Sequence, residues 1–234
     1  MKAIILAGGL GTRISEETSD KPKPMVKIGD QPIIWHLMSI YASQGINEFI
    51  IAAGYKGEVI QAWVESLETK LQINVLDTGL GTQTGGRIKQ CMQTVPGERV
   101  FATYGDGLGN INLEKLLRFH ELNGLFGTVT AVRPPARFGV LETSNGVVSH
   151  FGEKNQTDSG WINGGFFVLE PGVIDYIHDD KESFETGAIP RMVTDQKLAA
   201  FHHEGFWQPM DTLREKEDLE KFVTKGNPPW MKVG

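Results

Sequence analysis

Lys2-Ala3-Ile4-Ile5-Leu6-Ala7-Gly8-Gly9-Leu10-Gly11-Thr12-Arg13 follows directly on Met1, and its reading decides how the rest of the chain is read. Lys2 to Ala7 is a short, almost wholly apolar run, the pattern of a strand buried on both faces. Three glycines then fall within the four positions 8–11, and Arg13 follows shortly after. A tight turn from strand to helix needs fewer. Glycines bare their backbone N–H groups to an approaching ligand, and clusters of such groups hold phosphate oxygens. The Gly-Lys-Ser/Thr ending of a P-loop is missing, and Gly9-Leu10-Gly11-Thr12-Arg13-Ile14 lacks the third glycine of a dinucleotide fingerprint. An anion loop of another kind, at the end of a sheet strand, is the expectation.

Outward from this stretch, short apolar runs alternate with helical patterns. Phe49 to Ala53, Ile73 to Leu76, Val100 to Thr103 and Thr128 to Val132 read as further strands. Helices are expected over Ile33 to Gln44, with Gly45 as a stop, and over about Lys56 to Leu67, Gly86 to Gln93 and Asn112 to Asn123. Continuously apolar strands separated by helices predict an α/β fold, a doubly wound Rossmann-like and mostly parallel sheet. The second half changes character: Phe138 to Glu142, Val147 to Phe151 and Trp161 to Leu169 read as strands joined by turns such as Ser144-Asn145-Gly146. A charged helix is expected from Thr212 to Thr224. The chain therefore reads as a single domain, 1–135 forming a nucleotide-binding core and 136–234 a smaller β-rich part that completes the site.

At 234 residues, with 40% hydrophobic and 22% charged residues, the chain can bury one substantial core. Lys2 to Ala7 is too short for the core of a signal peptide, and no apolar run reaches the length of a membrane span. The single cysteine, Cys91, forbids an internal disulfide and fits a reducing, cytoplasmic setting. A formal net charge of -6 argues against nucleic acid as a bulk partner. An anionic substrate must then be drawn in by local cations.

Lys21-Pro22-Lys23-Pro24 supplies two of them. Each proline holds its predecessor extended, so the two lysines point to opposite sides and only one reaches a site. Tyr104-Gly105-Asp106-Gly107 puts an aspartate at the carboxyl end of a strand, where ligands of Mg²⁺ in nucleotide sites sit. Asp211 precedes the last helix, a position equally open to an N-cap. His202 and His203 lack partners at zinc-ligand spacing, His36 belongs to a helix face, and Cys91 has no activating neighbour in sequence.

Taken in order, Leu6 to Arg13, Lys21-Pro22-Lys23-Pro24-Met25, Thr84-Gly85-Gly86-Arg87, Tyr104 to Gly107, Glu153-Lys154, Asn163-Gly164-Gly165-Phe166 and Trp207 to Thr212 resemble the sugar-1-phosphate nucleotidyltransferases. The resemblance covers almost the whole chain, and within the group it is closest to the glucose-1-phosphate cytidylyltransferases. It implies transfer of CMP from CTP to α-D-glucose 1-phosphate, giving CDP-glucose and pyrophosphate, with Mg²⁺ as cofactor. It also implies site roles. Leu6, Ala7, Gly8, Gly9, Gly11, Thr12, Arg13, Lys23, Gly81, Thr84, Gly86, Arg87 and Gly105 bind the nucleotide. Arg13, Lys23 and Asp106 are catalytic, with Arg13 on the leaving pyrophosphate and Lys23 on the α-phosphate. Lys154, Asn163 and Gly164 bind the sugar phosphate, and Asp106 and Asp211 hold the metal.

The implied partners are a nucleoside triphosphate, a sugar 1-phosphate and, as an open expectation, a second copy of the chain. The stretch Glu65 to Leu76 is shorter than its counterpart in the family, which lies near nucleotide and subunit contacts. Asn155 stands where the family commonly has proline after the lysine. The same chemistry with dTTP, UTP or another hexose or heptose phosphate, or a nucleotide-sugar binding protein without turnover, are the alternatives. An oxidoreductase using a dinucleotide rests on Gly9-Leu10-Gly11 alone.

Overall fold

The computed structural model describes residues 1–134, 139–144, 147–153 and 160–234. Its central sheet has seven strands: β1 (Lys2–Leu6), β2 (Glu48–Ala53), β3 (Gln72–Asp77), β4 (Val100–Tyr104), β5 (Gly127–Val132), β6 (Ile162–Leu169) and β7 (Leu198–His203). They lie in the order β7-β5-β6-β4-β1-β2-β3. β1 pairs in parallel with β2 and β4, β2 with β3, and β5 with β7. β6 runs antiparallel between β4 and β5. Both halves of the sequence thus share one sheet.

The alternation within β1 shows how the core is divided. Ala3 and Ile5 belong to one apolar layer, Ile4 and Leu6 to the other, and all four are buried. Apart from a single turn at Ser15–Thr18, the α-helices of the described residues are α1 (Ile33–Ala42), α2 (Gly57–Glu65), α3 (Thr84–Gln93), α4 (Leu113–Asn123), α5 (Ile189–Thr194) and α6 (Leu213–Thr224). Leu37 and Tyr41 of α1, Ile60 of α2, Leu116 of α4 and Leu219 of α6 join the first layer. Ile88, Cys91 and Met92 of α3 and Met192 of α5 join the second, with Val173, Ile177 and Phe184. Helices on both faces make the sheet doubly wound, as the continuously apolar strands predict. Among the described residues, no helix is long and apolar enough to cross a membrane.

Three features depart from the sequence expectation. Of the three strands expected after residue 136, Gly139–Ser144 and Val147–Glu153 form an antiparallel hairpin, whereas the third enters the main sheet as β6. Phe138 and the turn positions Asn145 and Gly146 lie outside the described residues. The edge strand β7 and the helical turns from Pro171 to Thr194 carry no clear periodicity and were not expected. Finally, α3 begins at Thr84 and takes in two glycines, which cost helix stability by themselves.

Packing accounts for those glycines. A Cβ on Gly86 would lie 2.4 Å from the Asp180 carbonyl oxygen, and one on Gly85 would lie 2.7 Å from that of Glu182. Gln83 and Gly85 donate backbone hydrogen bonds to these same carbonyls, at 2.8 and 3.0 Å. The strap through residues 180–182 therefore lies directly on the first turn of α3.

Gly86→Ala is expected to force strap and helix apart and to destabilise the protein by about 1–3 kcal/mol, as overpacking does. Denaturant unfolding measures this, and an unchanged midpoint would show that the contact has slack.

Candidate functional site

An open cleft of about 900 Å³ lies at the carboxyl ends of β1 and β4. Leu6 to Arg13 line one side, Leu80 and Thr82 to Thr84 another, and Tyr104 to Asp106 the floor. Pro134, Ile162, Trp207 and Pro209 border the rest. These are loops that follow strands, the ligand position in open α/β sheets.

At the floor, Lys23 Nζ donates to Asp106 Oδ2 at 2.6 Å and to Asp211 Oδ1 at 2.7 Å. Arg13 Nη1 donates to Asp211 Oδ2 at 2.6 Å. The Lys23 side chain is 11% exposed and that of Arg13 75%, so the first cation is built in while the second reaches into solvent. Burial opposes the charge on Lys23, but Asp106 and then Asp211 outweigh it and hold its pKa above the ordinary value. Lys21 instead lies near Glu17 and Asp20 at the surface, so the pair divides, but not through the extended chain expected: Pro22 is extended, whereas Lys23 opens a 3-10 turn, Lys23–Met25.

Backbone pairing brings the two aspartates together. Asp106 follows β4, anchored where Gly105 N–H donates to the Leu6 carbonyl at 2.9 Å. Gly107–Gly109 then pairs antiparallel with Trp207–Pro209, Pro209 opposite Gly107, and Met210 N–H donates to the Asp106 carbonyl at 2.8 Å. Asp211 is thereby delivered beside Asp106. It does not cap α6, because Thr212 is the N-cap and forms a capping box with Glu215. Glu215 also accepts from the Asp211 N–H at 2.7 Å.

The glycine loop is fixed from beneath by a buried guanidinium. Arg87 Nη2 donates to the Gly8 carbonyl at 3.1 Å, while Nη1 donates to the Ala53 carbonyl at 2.8 Å and to Thr78 Oγ1. Burial lowers the Arg87 pKa, and Asp77 partly opposes this. A Cβ on Gly8 would fall 2.1 Å from Arg87 Cζ, so any side chain there would displace the guanidinium from its acceptors. A Cβ on Gly9 would meet nothing within 4 Å, which leaves that backbone open to the cleft.

Glu185 forms a wall that the sequence reading missed. Its Oε2 accepts from Thr84 Oγ1 at 2.6 Å and Ser183 Oγ at 2.7 Å, and its Oε1 accepts from the Tyr104 hydroxyl at 2.5 Å. Asn163 Nδ2 in turn donates to the Tyr104 oxygen at 2.9 Å. Burial alone would raise the Glu185 pKa, but the Thr84, Tyr104 and Ser183 donors hold it below the ordinary value. The same burial, with the nearby carboxylate, pushes the Tyr104 phenol up and keeps it a neutral donor.

Of the sequence-assigned residues, Leu6, Ala7, Gly8, Gly9, Gly11, Thr12, Arg13, Lys23, Thr84, Arg87, Gly105, Asp106 and Asp211 line the cleft together. Gly81 lies between the lining residues Leu80 and Thr82 without lining the cleft itself. Gly86 faces away, onto Asp180. Asn163 reaches the wall through Tyr104, and the Gly164 carbonyl accepts from Trp207 Nε1 at 2.8 Å. Lys154 lies outside the described residues. Cys91 is buried and its thiol is pushed up to about 12 by burial, so it is inert.

The floor suits a hard divalent cation. Asp106 and Asp211 each present an oxygen to one point, and carboxylates completed by substrate phosphates and water are the donor set of Mg²⁺ in nucleotide enzymes. No cluster of three or more His, Cys, Asp or Glu side chains occurs among the described residues. The arrangement can therefore offer anion-binding N–H groups, two cations and a carboxylate pair to a polyphosphate, but no activated protein nucleophile.

Comparison with known proteins agrees with this geometry. The profile of the nucleotidyl transferase family matches residues 2–226. The glucose-1-phosphate cytidylyltransferase of Salmonella typhi is 44% identical over 253 aligned residues, covering 98% of each chain. A probable glucose-1-phosphate cytidylyltransferase of Bacillus subtilis is 40% identical over 252, covering 98% of this chain and 99% of its own. Among solved structures, HddC from Yersinia pseudotuberculosis superposes with a TM-score of 0.74 at 24% identity, covering 95% of this chain and 99% of its own, a likeness of fold.

Glu185 also makes stability depend on pH. Its folded pKa lies below the ordinary 4.5, so its contribution is fully present above that pH and is lost as pH falls through the folded value. Glu185→Gln is expected to unfold more easily than the wild type at about pH 7, and the gap should close toward about pH 3.5. Urea midpoints at the two pH values test this, and a gap that does not change would assign the loss to packing instead.

Proposed function

Because the chain belongs to the nucleotidyl transferase family, we propose that it transfers CMP from CTP to α-D-glucose 1-phosphate, releasing pyrophosphate and forming CDP-glucose. One observation carries the reading: Arg13, Lys23, Asp106 and Asp211 converge beneath a glycine loop at the carboxyl end of the sheet. The identity with cytidylyltransferases along 98% of the chain supports CTP and glucose 1-phosphate as the substrates.

In this reading a phosphate oxygen of the sugar phosphate attacks the α-phosphorus in line. The bond between the α- and β-phosphates breaks, and its electron pair leaves with pyrophosphate. The attacking oxygen is already ionised, so no general base is required. The barrier is the approach of one anion to another, and charge neutralisation and alignment lower it.

Placement in the cleft supports the following roles for the described residues. Backbone N–H groups of the loop from Gly8 to Arg13 hold the triphosphate. The buried Lys23 ammonium, at the floor, draws charge from the α-phosphate. Arg13 is exposed and long enough to follow the leaving pyrophosphate. Asp106 and Asp211 would hold Mg²⁺, and its charge would offset that of the phosphates. Asn163 and Gly164, behind the wall formed by Tyr104 and Glu185, serve the sugar side with Lys154. The chain acts as one domain in the cytoplasm, its N-terminal half gripping the nucleotide and its C-terminal half completing the metal and sugar subsites.

Incubation with glucose 1-phosphate, Mg²⁺ and each of CTP, UTP, dTTP and GTP, followed by pyrophosphate release, tests the proposal. CTP is expected to give the fastest turnover, and Asp106→Asn to lower it by about 100-fold or more. Turnover with another triphosphate and none with CTP would overturn the base assignment. An undiminished rate in Asp106→Asn would remove the metal role.

A further inference from the structure

We propose that Lys23 is an internal occupant of the metal position: in the free protein its ammonium closes the Asp106–Asp211 pair, so a divalent cation enters together with the triphosphate and not ahead of it. The proposal rests on the reading of Asp106 and Asp211 as the metal pair.

The argument begins with geometry. Both carboxylates turn an oxygen toward the same Nζ, at 2.6 and 2.7 Å. A cation bridging them needs those oxygens, because Mg²⁺ binds oxygen at about 2.0–2.1 Å. Set between the same two oxygens, such a cation competes with the ammonium for one position, and two positive charges so close repel strongly.

Charge gives the reason that the ammonium stays when metal comes alone. Arg13, Lys23, Asp106 and Asp211 carry two positive and two negative charges between them. Adding a dication without removing Lys23 leaves two positive charges in excess, in a place where the lysine is only 11% exposed. Removing Lys23 instead strips a buried ammonium of its carboxylate partners, which is costly at a poorly solvated site. Metal alone therefore meets an opposing term by either route.

A triphosphate removes that opposition. Its α-phosphate offers the ammonium a new anionic partner, and the flexible four-carbon stem of lysine lets Nζ swing while the backbone stays fixed. The backbone at Lys23 is held by Pro22 and Pro24 and by the turn in which Met25 N–H donates to the Pro22 carbonyl at 2.8 Å. Lys23 then exchanges carboxylates for phosphate while the cation takes the carboxylates. The same motion that admits the metal puts Lys23 on the reacting phosphate. In this role Lys23 makes metal binding conditional on nucleotide binding, a coupling that must be reciprocal.

The test is a titration of the whole protein with Mn²⁺, a paramagnetic substitute for Mg²⁺, following free Mn²⁺ by electron paramagnetic resonance. Without nucleotide, Lys23→Met is expected to bind Mn²⁺ at least about tenfold more tightly than the wild type, equivalent to about 1.4 kcal/mol. Lys23→Gln repeats the measurement with a polar side chain in case the methionine variant misfolds, and circular dichroism checks both. With CTP and no sugar phosphate, the wild type should take up more Mn²⁺ than the same CTP binds without protein, and Asp106→Asn should remove that excess. Equal Mn²⁺ affinity of the wild type and both lysine variants without nucleotide, while the CTP arm behaves as expected, overturns the internal-occupant proposal alone. A CTP arm indifferent to Asp106→Asn overturns the metal pair itself, and this proposal with it.

Discussion

The Lys23 ammonium between Asp106 and Asp211 is the contact on which the arrangement of the cleft depends. Two carboxylates brought this close at a poorly solvated floor repel each other. One buried cation between them offsets that repulsion and lets the fold hold them adjacent. The partners come from three distant parts of the chain, so the contact also fixes how those parts meet. The N-terminal loop, the end of β4 and the segment before α6 become one surface.

Rigidity behind that surface comes from the backbone. The short ladder of Gly107–Gly109 with Trp207–Pro209 sets the spacing of the two aspartates, and the capping box at Thr212 relieves Asp211 of any duty to the helix it precedes. Arg87 ties the glycine loop to the ends of β2 and β3 through the Ala53 carbonyl and the Thr78 hydroxyl. On the far side Gly165 takes a left-handed φ of +82°, where a Cβ would lie 2.4 Å from the Tyr104 ring. The irregular pairing of β6 there lets Asn163 reach the Tyr104 hydroxyl. Thr84 on one side of the cleft and Asn163 on the other are thus connected through Tyr104 and Glu185.

How much of this is legible in the sequence depends on the range of the interaction. β1, the glycine loop and Asp106 are local patterns, each an apolar run ending in a recognisable loop, and they sit where the pattern puts them. The split between Lys21 and Lys23 is also local, although a 3-10 turn that opens at Lys23, and not the extended chain expected before Pro24, produces it. The family resemblance assigns Gly86, with Thr84 and Arg87, to the nucleotide pocket. Its missing Cβ instead serves the Asp180 strap, a contact that no spacing in the sequence announces. Glu185 is a lone glutamate in a segment without periodicity, and its partners Thr84 and Tyr104 belong to other elements. β7 lies at the sheet edge with part of its surface exposed, so polar and apolar residues mix along it and the strand signal fades. What the sequence withholds is long-range side-chain pairing.

The charge balance of the cleft sharpens the question of how an acidic chain attracts a polyanion. A formal net charge of -6 makes the distant field unfavourable, which suggested a site rich in local cations. The described residues that line the cleft are instead evenly matched: Arg13, Lys23 and Arg87 against Asp106, Glu185 and Asp211. Arg87 is committed to backbone and hydroxyl acceptors, and Lys23 and Arg13 to carboxylates. Attraction therefore cannot rest on unpaired cations among these residues. Among the described residues, what remains is the backbone N–H groups of the glycine loop and exchange, in which phosphate oxygens replace carboxylates around cations already in place. Exchange costs little reorganisation, because the cations are positioned beforehand and only their partners change. A cleft balanced in this way avoids storing repulsion between empty cations, and it delivers its full positive charge to the phosphates only as the carboxylates acquire another partner.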